Sequence, residues 1–100
     1  MTTVKQNETC RIFWDYYGPE AHGTAPHFHH HLLQWLERAE TQHLSQGHEP
    51  GRYVASDMGV TTYSPTHSAA YCVLSMTSGQ EVYRTLKAHR AVLEDPSSEE

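Results

Sequence analysis

Alternation between apolar and polar side chains predicts a β-strand near the start of the chain. Residues 9–17 are rich in β-branched and aromatic side chains, and a strand turns successive side chains to opposite faces. The face formed by Ile12, Trp14 and Tyr16 is wholly apolar or aromatic, so we expect it to point inward. The opposite face would carry Arg11, Phe13, Asp15 and Tyr17. Two glycines and a proline in residues 18–23 then end the strand.

A 3.6-residue hydrophobic period predicts a long helix over residues 25–44. Thr24 is a suitable N-cap, and Pro26 is tolerated in a first turn because its missing N–H would be unpaired there. The apolar side chains that share one side of this helix are Phe28, Leu32, Trp35, Leu36 and Ala39. We expect this stripe to face the core, which pushes the neighbouring histidines to its rim. Gly47 and Pro50 would end the helix.

Two strand-like segments, at residues 52–64 and 68–76, predict a β-hairpin because only a short connection containing proline separates them. The first arm is too long to pair residue for residue with the second, so Gly59 indicates a bulge or a break in it. A second helix opens at Ser78, which has capping-box spacing to Glu81. The inward stripe of this helix would hold Val82, Leu86, His89, Arg90 and Leu93.

The predicted order of elements is β-α-β-β-α, which is typical of the α+β class. Two helices, each with one apolar stripe, can cover one face of a small, mostly antiparallel sheet and form a two-layer sandwich. A right-handed crossover would place the third strand in the middle, in the order 1-3-2, which is a ferredoxin-like arrangement without its last strand. We expect one α+β domain over residues 9–95, with a flexible N-terminus at 1–8. Pro96 would stop the second helix and begin a flexible acidic tail at 96–100.

A sheet of three strands would leave exposed edges and one face without a covering layer. Tyr53, Tyr63 and Tyr71 could occupy that face. Because exposed aromatic side chains favour association, we expect self-association as a homodimer.

The composition of the chain argues against two classes of partner and favours one cellular compartment. The chain has 7 Lys and Arg against 12 Asp and Glu and no basic stripe, so we expect no nucleic-acid partner. Its longest apolar run, residues 69–74, is too short to cross a bilayer, so we expect no membrane partner. Cys10 and Cys72 lack the spacing of a metal or redox motif, and the start of the sequence lacks the apolar segment of a signal peptide. We therefore expect a cytoplasmic protein with reduced thiols.

Four histidines occur within five positions at the predicted start of the first helix. His27 and His31 are four residues apart and would share one helix edge, where two imidazoles can grip one transition-metal ion. A third ligand would have to come from His22, Glu20, His67 or Cys72. With His22 in that place, the pattern would bind zinc or another divalent transition metal. The zinc-protease motif His-Glu-x-x-His needs glutamate after the first histidine, and this chain has Phe28 there. The alternative is a solvated helix edge that binds no metal.

The predicted first turn of that helix could also hold a small anionic ligand. Its partial positive charge disfavours charged imidazoles at His27, His29 and His30, and neutral rings beside free N–H groups could bind a carboxylate or a phosphate. Pro26 removes one of those donors, which weakens the hypothesis. The alternative is a solvated helix start without a ligand.

The strand-to-helix turn at residues 15–25 is the other candidate site, because rigid elements display flexible polar groups at such turns. The predicted ligand-binding residues are Asp15, Tyr17, Glu20 and His22. Asp15 or Glu20 could serve acid–base chemistry, although the turn alone explains the glycines and the proline.

These features favour a non-enzymatic binding or interaction module that acts as a homodimer. The alternative is a divalent-metal-binding protein or a small metal-dependent enzyme, with its site at the histidine-rich start of the first helix. A small dimeric α+β oxygenase or isomerase is a third hypothesis, which requires a deep pocket between the sheet and the helices.

Overall fold

Four strands and two helices alternate along the chain. The computed structural model describes residues 9–94, so the predictions for residues 1–8 and 96–100 lie outside the described part. The elements are β1 (Thr9–Tyr17), α1 (Ala21–Ser45), β2 (Asp57–Ser64), β3 (His67–Ser75), α2 (Met76–Thr85) and β4 (Arg90–Glu94).

The strands form one antiparallel sheet in the order β2-β3-β1-β4. β1 pairs with β3 along its whole length, from Thr9 opposite Ser75 to Tyr17 opposite His67. Buried side chains of α1 and α2 cluster with one face of β1 and β3, so both helices lie on the same side of the sheet. The predicted two-layer α+β sandwich is confirmed, including the position of β3 between β1 and β2.

The prediction of a second helix that continues through Leu93 is wrong. α2 ends at Thr85, Lys87 takes a left-handed conformation with φ 56°, and the chain returns as β4. β4 pairs with the free edge of β1, where Arg90 lies opposite Phe13. Backbone pairing with this edge outweighs the helical spacing of the apolar residues. The sheet therefore has the last strand that the predicted ferredoxin-like arrangement lacked.

The hydrophobic core lies between the sheet and the two helices. Its buried residues are Cys10, Ile12, Trp14, Leu32, Leu36, Cys72, Leu74 and Val82. Phe28 and Trp35 pack against this cluster, which confirms the predicted inward stripe of α1. The indole Nε1 of Trp14 donates a 2.9 Å hydrogen bond to the Leu86 carbonyl, so the end of α2 is tied to β1.

α1 begins one turn earlier than predicted, at Ala21 rather than at residue 25. Ala21 and Ala25 are both buried, and they extend the apolar stripe toward the N-terminus. Glu20 is the N-cap, without a side-chain capping bond, while Thr24 lies inside the helix and donates to the Glu20 carbonyl at 3.0 Å. Pro26 is therefore also inside the helix, past its first turn.

This earlier start removes the basis of the predicted anion site. His27, His29 and His30 lie beyond the first turn, where backbone N–H groups enter the helical hydrogen-bond ladder instead of remaining free. The prediction that these histidines surround free helix-terminal donors is wrong.

The β2–β3 hairpin has a shorter first arm than predicted, because β2 begins only at Asp57. Gly59 does not form the predicted bulge, since the pairing irregularity lies between Thr62 and Ser64. Gly59 instead lies opposite Tyr71, and a Cβ at this position would come within 3.1 Å of the Tyr71 hydroxyl oxygen. The glycine makes room for that ring.

Candidate functional site

The face of the sheet that points away from the two helices is lined by side chains from all four strands. We call it the open face. Its side chains are Arg11, Phe13, Asp15 and Tyr17 from β1, Asp57 and Tyr63 from β2, His67, Tyr71 and Val73 from β3, and Arg90 and Val92 from β4. The strand register determines which side chains lie on this face, because residues that are directly opposite on paired strands point to the same side of the sheet.

Four residues of the open face, one from each strand, form a hydrogen-bonded group that we call the Asp15 cluster: Asp15, Tyr63, His67 and Arg90. Arg90 donates from Nε to Asp15 Oδ2 at 2.8 Å and from Nη2 to Oδ1 at 3.0 Å. His67 Nε2 lies 2.9 Å from the same Oδ1. Arg90 Nη2 also donates to the Tyr63 hydroxyl at 2.8 Å. A polar network thus crosses the whole sheet.

Asp15 is the centre of this network, and its side chain is only 5% exposed. The two hydrogen bonds from the Arg90 guanidinium hold the pKa of the Asp15 carboxyl below its ordinary value, against the opposing effect of burial, and His67 adds to the lowering. Asp15 is therefore an ionised carboxylate that only accepts hydrogen bonds. The bidentate geometry fixes both of its oxygens.

His67 lies between two tyrosine rings. Its ring centroid is 4.3 Å from that of Tyr17 and 4.6 Å from that of Tyr63. Because the Asp15 carboxylate can only accept, the Nε2 atom of His67 carries the proton that is shared with it. In a neutral ring this leaves the lone pair on Nδ1. Within residues 9–94 that atom makes no hydrogen bond, and the His67 side chain is 25% exposed.

Arg90 has donor capacity left after its bonds to the cluster. Its guanidinium carbon lies 3.9 Å from the centroid of the Phe13 ring, a cation–π contact that helps to hold the group over the sheet. Hydrogen bonds within the described chain use Nε and Nη2 of Arg90 but not Nη1. The Tyr63 hydroxyl accepts from Arg90, so its own proton remains available for donation.

The main chain of β1 at Asp15 is held by a second histidine. The Asp15 backbone N–H donates to His89 Nδ1 at 2.7 Å, and the His89 backbone N–H donates to the Phe13 carbonyl at 2.9 Å. These bonds join the turn before β4 to the middle of β1. They fix the position of the Asp15 carboxylate relative to Arg90.

The structure brings together only part of the predicted ligand site. Asp15 and Tyr17 both contact His67 on the open face. His22 lies on the helix side of the sheet, where its Nδ1 is 3.2 Å from the Oγ of the buried Ser68. Glu20 is exposed at the start of α1. The two halves of the predicted set are thus on opposite faces.

The histidines of α1 contain one close pair. His27 and His31 are exposed, and their Nε2 atoms are 3.1 Å apart. Within residues 9–94, no group of three or more His, Cys, Asp or Glu side chains is arranged to hold a metal ion. His22, the expected third ligand, contacts Ser68 instead. His29 differs from its neighbours because its buried Nε2 has no hydrogen-bond partner among the described residues.

A second polar cluster fixes the segment between α1 and β2. Glu40 accepts hydrogen bonds from the backbone N–H groups of Gly51 at 2.6 Å and Tyr53 at 2.9 Å. Glu81 of α2 accepts from the Tyr53 hydroxyl and from Arg52 Nη2, both at 2.8 Å. Both carboxylates of this cluster accept hydrogen bonds from more than one donor within it. We interpret it as a structural tie between the two helices.

His67 and Arg90 of the Asp15 cluster were missing from the ligand-binding residues predicted from the sequence. His67 lies at the start of β3, half-buried and paired with Asp15. Arg90 was placed on the inward stripe of a helix and lies on a strand instead. The signal that could have found His67 is the hairpin register, which continues into β1 and places His67 opposite Tyr17. Arg90 could not be found without the fourth strand.

Comparison with profiles of protein families, with curated proteins and with solved structures found no match to this chain. Among residues 9–94, neither helix has the length and apolar character needed to cross a membrane. The site must therefore be interpreted from its own chemistry.

Proposed function

We propose that this chain is a binding module that acts as a homodimer, and that two copies associate through their open faces. The observation that carries the proposal is the exposure of large side chains there: Tyr17 is 71%, Tyr63 48% and Val92 47% exposed. These side chains surround a cluster whose central carboxylate is buried. Exposed aromatic and aliphatic side chains around an ordered polar group are typical of a surface that is covered in the functional state.

A second copy of the chain suits this surface in charge and in size. Four charged side chains of the face form two ion pairs of opposite charge, Arg11 with Asp57 and Arg90 with Asp15. Two copies would therefore meet without net electrostatic repulsion. Four strands at a spacing of about 4.8 Å, with about eight residues at about 3.3 Å each, span about 500 Å². Two such faces bury about 1,000 Å², which is near the lower limit of a specific interface.

Sedimentation equilibrium tests the dimer. A lysine in place of Val92 would put two like charges into the symmetric interface and expose the partner's aromatic side chains, so Val92→Lys should weaken association about tenfold or more. Leu44→Lys is the matched control, because Leu44 is similarly exposed but lies near the end of α1 on the other side of the sheet. A wild-type monomer at high concentration, or equal effects of the two variants, would refute the proposal.

A cytoplasmic location belongs to this proposal. Cys10 and Cys72 are both free thiols in the core, which suits a reducing compartment.

A second candidate function is divalent-metal binding by His27 and His31. Metal–nitrogen bonds of about 2.0–2.1 Å in a tetrahedral site place two ligand nitrogens about 3.3 Å apart. The 3.1 Å separation of the two Nε2 atoms is close to that value, so the rings need little movement to hold one ion. Water would complete the coordination, because these two rings are the ligands that the described chain provides.

Calorimetric titration with zinc and with nickel tests this second candidate. The double variant His27→Ala, His31→Ala should lose the binding heat, while His30→Ala should keep it, because His30 lies on the same exposed helix but outside the close pair. Equal binding by the double variant and the wild type would eliminate the site.

A further inference from the structure

We propose that the Asp15 cluster is a proton-transfer site, in which His67 Nδ1 takes a proton from a planar, enolisable carbonyl compound bound on the open face. The inference rests on the open face as the binding surface of the proposed function, and the ligand and a second copy of the chain would compete for that surface. It assigns a reaction class and a ligand class to that surface.

The arrangement of the cluster makes His67 a directed proton acceptor. Arg90 keeps Asp15 ionised, Asp15 accepts the Nε2 proton of His67, and the lone pair of Nδ1 consequently points away from the carboxylate. An imidazolium formed at His67 would face the buried carboxylate, which stabilises its charge. Asp15 and Arg90 are positioning residues in this scheme, and His67 is the catalytic residue.

The same cluster supplies donors for the negative charge that develops on the ligand. Arg90 Nη1 and the Tyr63 hydroxyl proton are both unused by the described hydrogen bonds. Both groups are held by the network, so they need little reorganisation to bind an oxyanion. The unused base and the unused donors therefore belong to one connected group, as a proton abstraction next to a carbonyl requires.

The surroundings of His67 favour a planar ligand. Tyr17 and Tyr63 cover the two faces of the imidazole and Asp15 occupies its Nε2, so a ligand would approach along the edge that bears Nδ1. Both tyrosine rings are themselves exposed, and they offer aromatic surface beside that edge. An aryl or conjugated carbonyl compound fits this combination of flat apolar walls and one proton acceptor.

The proposed step is balanced without a co-reactant. The C–H bond next to the carbonyl breaks, its electron pair becomes the C=C bond of the enolate, and the carbonyl oxygen takes the negative charge beside Arg90 and Tyr63. The proton moves to His67 Nδ1. Its return to carbon or to oxygen releases the ketone or the enol and restores the neutral imidazole.

Solvent exchange into phenylpyruvate tests the inference. In D₂O, NMR measures the replacement of the C3 protons, and the protein should exceed an equal concentration of free imidazole by about 100-fold or more. His67→Gln should reduce the rate to that of the imidazole control, while His30→Gln should leave it unchanged, because His30 is an exposed histidine outside the open face. No enhancement by the wild type, or an unchanged rate in His67→Gln, would overturn the proposal.

Asp15→Asn tests the positioning role. The imidazolium that forms loses its carboxylate partner, so kcat for exchange should fall while KM for phenylpyruvate stays within about twofold. A merely structural role would change KM as well as kcat. Amide chemical shifts of the wild type with phenylpyruvate provide a check without substitution: they should change at Tyr17 and His67 and not along α1.

Sedimentation of the same samples separates this inference from the proposed dimer. Absence of exchange at concentrations where the protein is a monomer overturns the proton-transfer site alone, whereas exchange by a protein that stays a monomer at high concentration overturns the dimer alone.

Discussion

Replacing Arg90 with methionine removes the guanidinium that holds Asp15 and keeps an unbranched stem over the Phe13 ring. Removing one partner of a fully buried ion pair costs about 3–5 kcal/mol, because the other charge is left without compensation. Asp15 is buried, but the Arg90 side chain is 40% exposed, so water can partly replace the lost donors. We therefore expect a loss of about 2 kcal/mol in the free energy of unfolding.

Urea denaturation followed by tryptophan fluorescence measures this loss. With a slope of about 1–2 kcal/mol per M for a domain of this size, the midpoint should fall by about 1–2 M. Arg84→Met is the matched control: Arg84 is exposed on α2, so its replacement should change stability by less than about 0.5 kcal/mol.

The pH dependence identifies the partner that Arg90 acts on. Because the pKa of Asp15 is lowered in the folded protein, its contribution to stability is fully present above the ordinary carboxyl value of 3.8 and is lost as the pH falls through the lowered pKa. In Arg90→Met most of this lowering disappears, so less stability should be lost between pH 4 and about pH 2. Equal acid sensitivity in the two proteins, or equal effects of Arg90→Met and Arg84→Met, would refute the reasoning.

Three further predictions concern the core and the turns. Gly79→Ala should destabilise the protein by about 2 kcal/mol or more in urea denaturation, because the added Cβ would collide with Cys10 Sγ. Gly23→Ala should instead stabilise the protein by about 0.5–1 kcal/mol, because Gly23 lies in α1 with open space around it. Burial, and secondarily the Cys10 thiol, raise the pKa of Cys72 to about 12. A thiol reagent at pH 8 should therefore modify Cys72 only after unfolding. Rapid modification of the native protein would contradict this prediction. Lys87→Gly should raise the unfolding midpoint by relieving the positive φ, with a gain of about 1 kcal/mol, and a loss of stability would show that the lysine side chain contributes more than the strain costs.

Much of the architecture could be predicted from local patterns in the sequence. The stripe that contains Phe28, Leu32 and Leu36 has a clear helical period, and the apolar face of Ile12 and Trp14 has a clear strand period. Both sets lie in the core as expected. Each of these signals depends only on residues a few positions apart, which is why sequence alone reveals it.

The segment at Arg90–Glu94 could not be assigned in this way. Its apolar residues continue the helical spacing of Val82 and Leu86, and the same residues also suit a strand. The choice is made by backbone pairing with β1, which is distant in sequence, and by the left-handed turn at Lys87. A short apolar run is ambiguous whenever a distant sheet edge decides its conformation.

The candidate site was predicted only in part for a related reason. Asp15 and Tyr17 were selected because they precede a turn, yet the turn itself contributes neither Glu20 nor His22 to the site. The partners of Asp15 come from strands that approach it across the sheet. The register of the strands determines such contacts. It makes neighbours of residues on the polar face that are far apart in the sequence and belong to no linear motif.

The Asp15 cluster also limits when the sheet can be completed during synthesis of the chain. Its ion pair joins residues 75 positions apart. The guanidinium comes from β4, which is the last element of the described chain and pairs with the edge of β1. While Arg90 is still inside the ribosome, Asp15 of the nascent chain has His67 as a partner but lacks the guanidinium, and the outer edge of β1 is unpaired. The Arg90–Asp15 ion pair and the pairing of that edge therefore form together, once β4 has been synthesised.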